Sequence, residues 1–228
     1  MNFFGSKIKK LSTEGMRVIV MTGGAGILGS ALIGSMPDDV LVINISRKNF
    51  LEEDRVVNIS FDIRGDIQEL VHEIDALVPN VDVLMNLAYS KTFSSVRDFS
   101  TDAFLDEIRV DVAAPVMLCR YFNTQFWGKA SKEENISNRR KVINISSMAS
   151  LGKTMRPELA TYSATKSALN SITEYVHEFL WEASGVSAHI VAPAGIGRGE
   201  SKRLGQTVSA IWKLQLEASE HYSITKIP

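Results

Sequence analysis

The order of apolar runs along this chain of 228 residues predicts an α/β fold, a mainly parallel sheet with helices on both faces. Three features carry that expectation. Short runs rich in β-branched residues alternate with longer stretches of helical periodicity. Most of the short runs are apolar at successive positions, as strands covered on both sides are. A glycine-rich turn separates the first run from the first helical stretch, and strand–helix–strand units cross over into parallel pairs.

The series opens at 16–21 with MRVIVM, and 40–45, 55–61, 81–88, 141–146 and 186–192 have the same character. That makes six strands. Helices are predicted between them over 26–36, 65–78, 101–127, 160–184 and 202–219, where apolar residues return every three or four positions. Ahead of the first strand, Phe4, Ile8 and Leu11 share one helical face. Residues 1–15 therefore read as an N-terminal extension whose short helix packs on the domain or on a second subunit. Residues 16–228 read as a single domain, because no linker or repeat divides them and their length suits one core.

Composition removes several function classes. A formal net charge of −1 gives no global attraction to nucleic acid or to an anionic membrane. The basic run Arg139-Arg140-Lys141, after the polar stretch 131–138, reads as a solvated loop leading into a strand. Cys119 is the single cysteine, so no intramolecular disulfide forms and a reducing, cytoplasmic setting is expected. Its apolar neighbours make it a small buried hydrophobe rather than a nucleophile. His72, His177, His189 and His221 form no i,i+4 pair and have no cysteine companions, so no metal site is expected. No apolar run reaches the roughly 18 residues that span a bilayer, and the lysine-bearing N-terminus lacks the apolar core of a secretory signal.

Directly after the first strand stands Thr22-Gly23-Gly24-Ala25-Gly26-Ile27-Leu28-Gly29. Glycines 23, 26 and 29 let the backbone turn tightly, approach a pyrophosphate, and pack a helix on the strand. The helix then points its free N–H groups and positive dipole end at the phosphates. Thr22, Gly23, Gly26, Ile27, Leu28 and Gly29 are thus the candidate contacts of a Rossmann-type dinucleotide site. The second strand ends at Ser46 and Arg47, where the adenosine ribose is expected. With no carboxylate before Glu52, and a guanidinium fork able to clamp a 2′-phosphate, NADP(H) is favoured and NAD(H) stays open. Asp62 and Ile63 close the third strand, where Asp62 could accept from the adenine amino group. Asn86 and Ala88 close the fourth, beside the expected ribose and nicotinamide.

Tyr162 and Lys166 stand four residues apart, on one face of the helix predicted over 160–184. A phenol with a pKa near ~10 is a poor acid–base group at neutral pH. A neighbouring ammonium is expected to lower it toward the working range. Ser147, at the end of the fifth strand, can hydrogen-bond a substrate oxygen and hold it against that phenol.

On these residues the chain resembles the short-chain dehydrogenase/reductase family over roughly 16–200. The resemblance rests on TGGAGILG at 22–29, Asp62, NLAY at 86–89, NISS at 144–147, YSATK at 162–166 and the Pro193-Ala194-Gly195 turn. It implies a Rossmann-type three-layer sandwich of six strands, or seven. It implies hydride exchange between nicotinamide and a ketone or secondary alcohol. Tyr162 would be the proton donor in reduction, Lys166 would bind the nicotinamide ribose and depress the Tyr162 pKa, and Ser147 would orient the carbonyl. The backbone at Pro193 and Ile196 would hold the nicotinamide amide. Family resemblance also suggests a homodimer or homotetramer packed through the 101–127 and 160–184 helices.

Departures accompany the likeness. The helix position where the family usually has Asn is Asp111, whose carboxylate would offset the lysine field at Tyr162. Either a raised Tyr162 pKa or an Asp111 turned away is predicted. Ala194 replaces the usual Gly, and Arg198 a common cofactor-contacting Thr. The last residues show no sign of the family's final strand, so an open sheet flank that a partner subunit could cover is expected. The glycine spacing is commoner in the family's sugar-nucleotide branch. An epimerase or dehydratase that takes and returns a hydride is therefore a second reading. A cofactor-binding regulator without turnover is a third, prompted by Asp111 and the short end. The loops over 89–100, 149–159 and 197–205 are the expected specificity elements.

Overall fold

The computed structural model of the chain describes residues 10–47, 53–90, 92–152, 156–196, 200–217 and 221–228. Seven strands form one sheet: β1 (Arg17–Thr22), β2 (Val40–Ser46), β3 (Val56–Ser60), β4 (Val83–Asn86), β5 (Lys141–Ile145), β6 (Ser187–Pro193) and β7 (Ser223–Ile227). Their spatial order is β3-β2-β1-β4-β5-β6-β7, and every pairing is parallel. The chain starts in the middle, winds outward to β3, then crosses β1 and winds the other way.

The helices are α1 (Ile27–Ile33), α2 (Ile67–Leu77), α3 (Thr101–Ile108), α4 (Ala114–Gln125), α5 (Lys132–Ser137), α6 (Ala160–Ser184) and α7 (Ser201–Leu216). Strand side chains alternate between two faces. Val18 and Val20 pack with α2, α4 and α6, while Ile19 and Met21 pack with α1 and α7. Two cores therefore grip the sheet from opposite sides, and this is why the inner strands are apolar at most positions on both faces. Cys119 lies in the first core, its thiol pushed up to about 12 by burial.

Five expectations need correction or qualification. The final edge is present: β7 pairs with β6 from His189↔Ser223 to Pro193↔Ile227, so the flank of β6 is covered by the chain itself. The single helix predicted over 101–127 is two helices joined by a π-helical turn, Arg109–Ala113. Pro115 has no N–H to return to the Asp111 carbonyl, and the Ala114 N–H reaches back to Arg109 instead. The polar stretch 131–138 contains α5, whose N-cap Ser131 accepts from the Glu134 N–H. In the basic run only Arg139 is exposed. Arg140 is buried against Asp82, Glu134 and Asn135, and Lys141 donates to the Leu214 and Glu217 carbonyls, its ammonium pushed down to about 8 by burial. Finally, the helix expected around Phe4 and Ile8 falls outside the described residues. Leu11 is not helical, and its N–H is bonded to the Leu77 carbonyl at 2.8 Å.

Candidate active site

The sheet register aligns Thr22 with both Ile45 and Asn86, and Asn86 with Asn144. The turns that leave β1, β4 and β5 therefore start level, at the carboxyl edge where α/β sheets hold their ligands. Gly23 has φ +75°, and a Cβ there would sit 2.8 Å from the Ala88 amide nitrogen. A Cβ on Gly29 would run into the Cα of Gly24, and one on Gly24 into the Asn44 carboxamide. These glycines let α1 close onto the turn. Gly24, which periodicity alone does not single out, is as tightly enclosed as its neighbours. Ala25, Gly26 and Ile27 remain exposed, and Gly26 caps α1 with no side chain over the first-turn N–H groups. Leu28 is half-buried. A turn stripped of side chains where Cβ atoms would block it fits the pyrophosphate of a dinucleotide.

Around that turn the predicted contacts divide. Thr22 is buried and its hydroxyl accepts from the Ala88 N–H at 3.3 Å, locking β1 to the end of β4. The Asn86 side chain is buried too. Its amide donates to Asn144 Oδ1 at 2.8 Å, and the Asn144 amide donates to Thr173 Oγ1 at 2.9 Å. That chain ties β4, β5 and α6 together through the Asn86 amide N–H group. Ile63 packs in the core beside α2. Asp62 is gripped by Arg64, Nε to Oδ1 at 2.9 Å, and is pulled down to about 2 by that hydrogen bond. The Arg47 charge also falls on Asp62. Ser46 ends β2 half-buried, Pro193 ends β6 buried, and Ile196 is half-buried beyond it. Arg198 lies outside the described residues.

The acid–base group is drawn from three elements. Tyr162 and Lys166 occupy adjacent turns of α6, and Ser147 follows β5. The Ser147 hydroxyl, which accepts from the Ala149 N–H at 3.2 Å, is close enough to the Tyr162 phenol to act on it, favouring the phenolate. Lys166 is buried, its ammonium 5.8 Å from the Tyr162 ring centroid, and it donates to the Ile145 carbonyl at 3.2 Å. Asp111, on the π-helical turn, brings Oδ2 to 3.7 Å from Lys166 Nζ, while Oδ1 accepts from the Ser90 N–H at 2.8 Å. So all four catalytic candidates meet. Residues 17–207 match the family model described as short chain dehydrogenase.

The chain belongs to the short chain dehydrogenase family. It is an NAD(P)-dependent oxidoreductase of that family. No curated protein sequence matches it. Among solved structures, a short chain dehydrogenase from Leptospira borgpetersenii with bound NAD+ is 19% identical, covers 100% of this chain and 98% of its own, and superposes with a TM-score of 0.77. RhlG from Pseudomonas aeruginosa, in an active-site complex with NADP, is 14% identical over 92% of this chain and 94% of its own, at 0.77. The aldohexose dehydrogenase of Thermoplasma acidophilum is 15% identical over 93% and 92%, at 0.75. At such identities the likeness is one of fold.

Within this short chain dehydrogenase the expected acidified phenol is not found. Tyr162 is pushed up to about 12, by burial first, with the Asp111 carboxylate adding to the rise and the Ser147 hydrogen bond opposing it. Lys166 is not among the influences on the phenol; its ammonium lies 3.7 Å from Asp111 Oδ2, and burial pushes its own pKa down. Of the two outcomes predicted for Asp111, the raised phenol is the one realised. Asp111 is itself pushed up by burial against the pull of Lys166. Sequence reasoning missed Glu107, one turn before Asp111 and equally buried, which accepts from Thr161 Oγ1 at 3.2 Å. Its signal was present: carboxylates at 107 and 111 face threonines at 161 and 165, both pairs spaced i,i+4.

Proposed function

We propose that this short chain dehydrogenase is an NADP(H)-dependent reductase of ketones, working in the opposite sense on secondary alcohols. One juxtaposition carries the proposal: the Ser147 hydroxyl on the Tyr162 phenol, with Lys166 one helical turn beyond. When bound, the nicotinamide supplies the hydride in reduction and accepts it in oxidation. Tyr162 keeps its proton at neutral pH, its phenol being pushed up to about 12. It gives that proton to the substrate oxygen as the oxygen gains alkoxide character and becomes the stronger base. Ser147 holds the same oxygen in line and stabilises its growing charge. Lys166, fixed by Asp111 and the Ile145 carbonyl, would hold the nicotinamide ribose. Gly23, Gly26 and the N–H groups of Ile27 and Leu28 would hold the pyrophosphate, and the backbone at Pro193 and Ile196 the nicotinamide amide. Oxidation needs the phenolate, so reduction is the sense favoured near neutral pH.

Preference for NADP(H) is supported by the close of β2, where Ser46 and Arg47 stand in place of a carboxylate. The buried single cysteine supports a reducing, cytoplasmic setting, and among the described residues no helix is long and apolar enough to cross a membrane. Exposed Leu105, Tyr175 and Phe179, on α3 and α6, support self-association as a homodimer or homotetramer.

The test is NADPH consumption with a panel of carbonyl compounds. Net loss of NADPH with alcohol formed is expected. Product without net loss would mean an isomerase, and cofactor binding without product a regulator. Tyr162→Phe is expected to lower kcat by roughly 10²- to 10⁴-fold with NADPH affinity nearly intact. Turnover retained in that variant would reject Tyr162 as the acid.

A further inference from the structure

The approach to Tyr162 is walled by two aromatic rings. Tyr89 and Phe93 stack on each other with centroids 6.5 Å apart and planes 19° apart. Each presents an edge-to-face contact to Tyr162, at 6.1 Å for Tyr89 and 5.2 Å for Phe93. Neither is a core residue: Tyr89 is 42% and Phe93 46% exposed. Their neighbours in sequence are anchored at two points. The Ser90 N–H is held by Asp111, the Ser94 N–H donates to Thr161 Oγ1 at 3.3 Å, and the Thr161 N–H returns to the Ser94 carbonyl at 3.4 Å. Both anchors stand on the elements that carry the acid–base group, so the rings keep a set position relative to Tyr162 instead of moving as an independent loop.

Two cations of the described residues, Lys166 on α6 and Arg203 on α7, are already matched. Lys166 faces Asp111 in the buried floor of the site. Arg203, in the stretch 197–205 expected to set specificity, donates to the Gly195 carbonyl and to Glu200, both at 2.9 Å, and to the Pro228 carbonyl at 3.3 Å. The exposed part of both rings gains most from a flat apolar partner that releases the water over it.

We infer that the substrate of this site carries a flat apolar group, aryl or conjugated, beside its carbonyl, and that Tyr89 and Phe93 are the specificity-determining residues that stack on it. The inference rests on the carbonyl reductase proposed above. Acidic and phosphorylated carbonyl compounds are then poor substrates, since the wall replaces none of the hydration they would lose.

Acetophenone, pyruvate, dihydroxyacetone phosphate and acetone, each with NADPH and the full chain, provide the comparison. The expected result is a kcat/KM for acetophenone at least tenfold above those of pyruvate and dihydroxyacetone phosphate. Phe93→Ala is expected to lower the acetophenone value about tenfold, mainly through KM, and to lower it several-fold more than the acetone value. Phe93→Leu should recover part of the loss. Equal or higher kcat/KM for either anionic compound, or equal losses on acetophenone and acetone, overturns the inference. If no compound in the panel is reduced, the reductase proposal is what fails, and saturation-transfer NMR decides the subsite separately. Transfer to the acetophenone ring protons that is lost in Phe93→Ala upholds the aromatic wall; no transfer in the unsubstituted chain overturns it.

Discussion

Asp111 acts on Tyr162 in two ways, and both favour the protonated phenol. Its carboxylate raises the phenol directly, and it also holds the Lys166 ammonium, whose field would lower the same phenol, against its own oxygen at 3.7 Å. Burial of the tyrosine is the larger cause, so the phenol stays protonated across the neutral range. Asp111→Asn removes a like charge from the phenolate, and the alkaline rise of alcohol oxidation should move to lower pH while ketone reduction near neutrality changes less. A superimposable pH–rate profile for the variant would show that Asp111 does not act on Tyr162. At the other end of the site, Arg47→Asp would replace the proposed phosphate clamp with a repelling charge. Loss of one charge-assisted contact, worth about 1.5–3 kcal/mol, corresponds to roughly a 10- to 100-fold rise in KM for NADPH, with NADH affected far less. Equal losses for the two cofactors would remove Arg47 from the 2′-phosphate. YSATK and Ser147 were legible as residue types at fixed spacing. The raised Tyr162 was legible only as one of two outcomes, because it depends chiefly on burial, which residue spacing does not give.

Elements were read correctly where one physical signal dominated, and misread where two competed. The inner strands are mostly apolar on both faces because helices cover both sides, and six strands, β1 to β6, were placed within a few residues. β7 was missed because Ser223-Ile224-Thr225-Lys226-Ile227 alternates only weakly and lies at the sheet edge. Its strand state is decided by pairing with β6 and by the Ala194 N–H bonded to the Ile227 carbonyl at 2.8 Å. The break between α3 and α4 was legible in Pro115, yet helical periodicity runs through it and hid the π-helical turn that sets Asp111. α5 carried a cap signal in Ser131 and Glu134 that polarity obscured. The turn before α1 tests how far an element depends on one missing side chain. Gly29→Ala would drive a Cβ into the Gly24 backbone, an overpacking of about 1–3 kcal/mol. A fall in Tm of several degrees is expected, at roughly 2–4 °C per kcal/mol for a chain of this size, together with weaker NADPH binding. An unchanged Tm and affinity would mean that α1 does not close on the turn as described.

For the molecule as a whole, the far edge of the sheet depends on a neutral imidazole. His189 is fully buried in β6, with Nε2 2.9 Å from Ser187 Oγ and Nδ1 2.9 Å from Ser223 Oγ on β7. Burial, with Lys141 and His177 adding to it, pushes its pKa down from 6.5 to about 3. The unfolded chain takes up this proton near 6.5 and the folded chain only near 3, so between those values the folded state binds fewer protons. Stability conferred by the neutral ring is present above pH 6.5 and is lost as pH falls through that window. The loss approaches, at its limit, a figure on the order of 4 kcal/mol. Tm should drop between pH 7 and pH 5, and His189→Gln, which stays neutral, should flatten the slope; an equal slope in the variant would assign the acid sensitivity elsewhere. By itself the sequence determined the layered α/β architecture, the dinucleotide turn and the Ser–Tyr–Lys set, because periodicity, glycine placement and i,i+4 spacing are local properties of the chain. Only the tertiary structure decided that Asn86 and Arg140 are buried ties, that Tyr89 and Phe93 wall the approach to Tyr162, and that the phenol is held protonated. Burial and electrostatic field at a side chain are set by residues distant in sequence, and no local pattern encodes them.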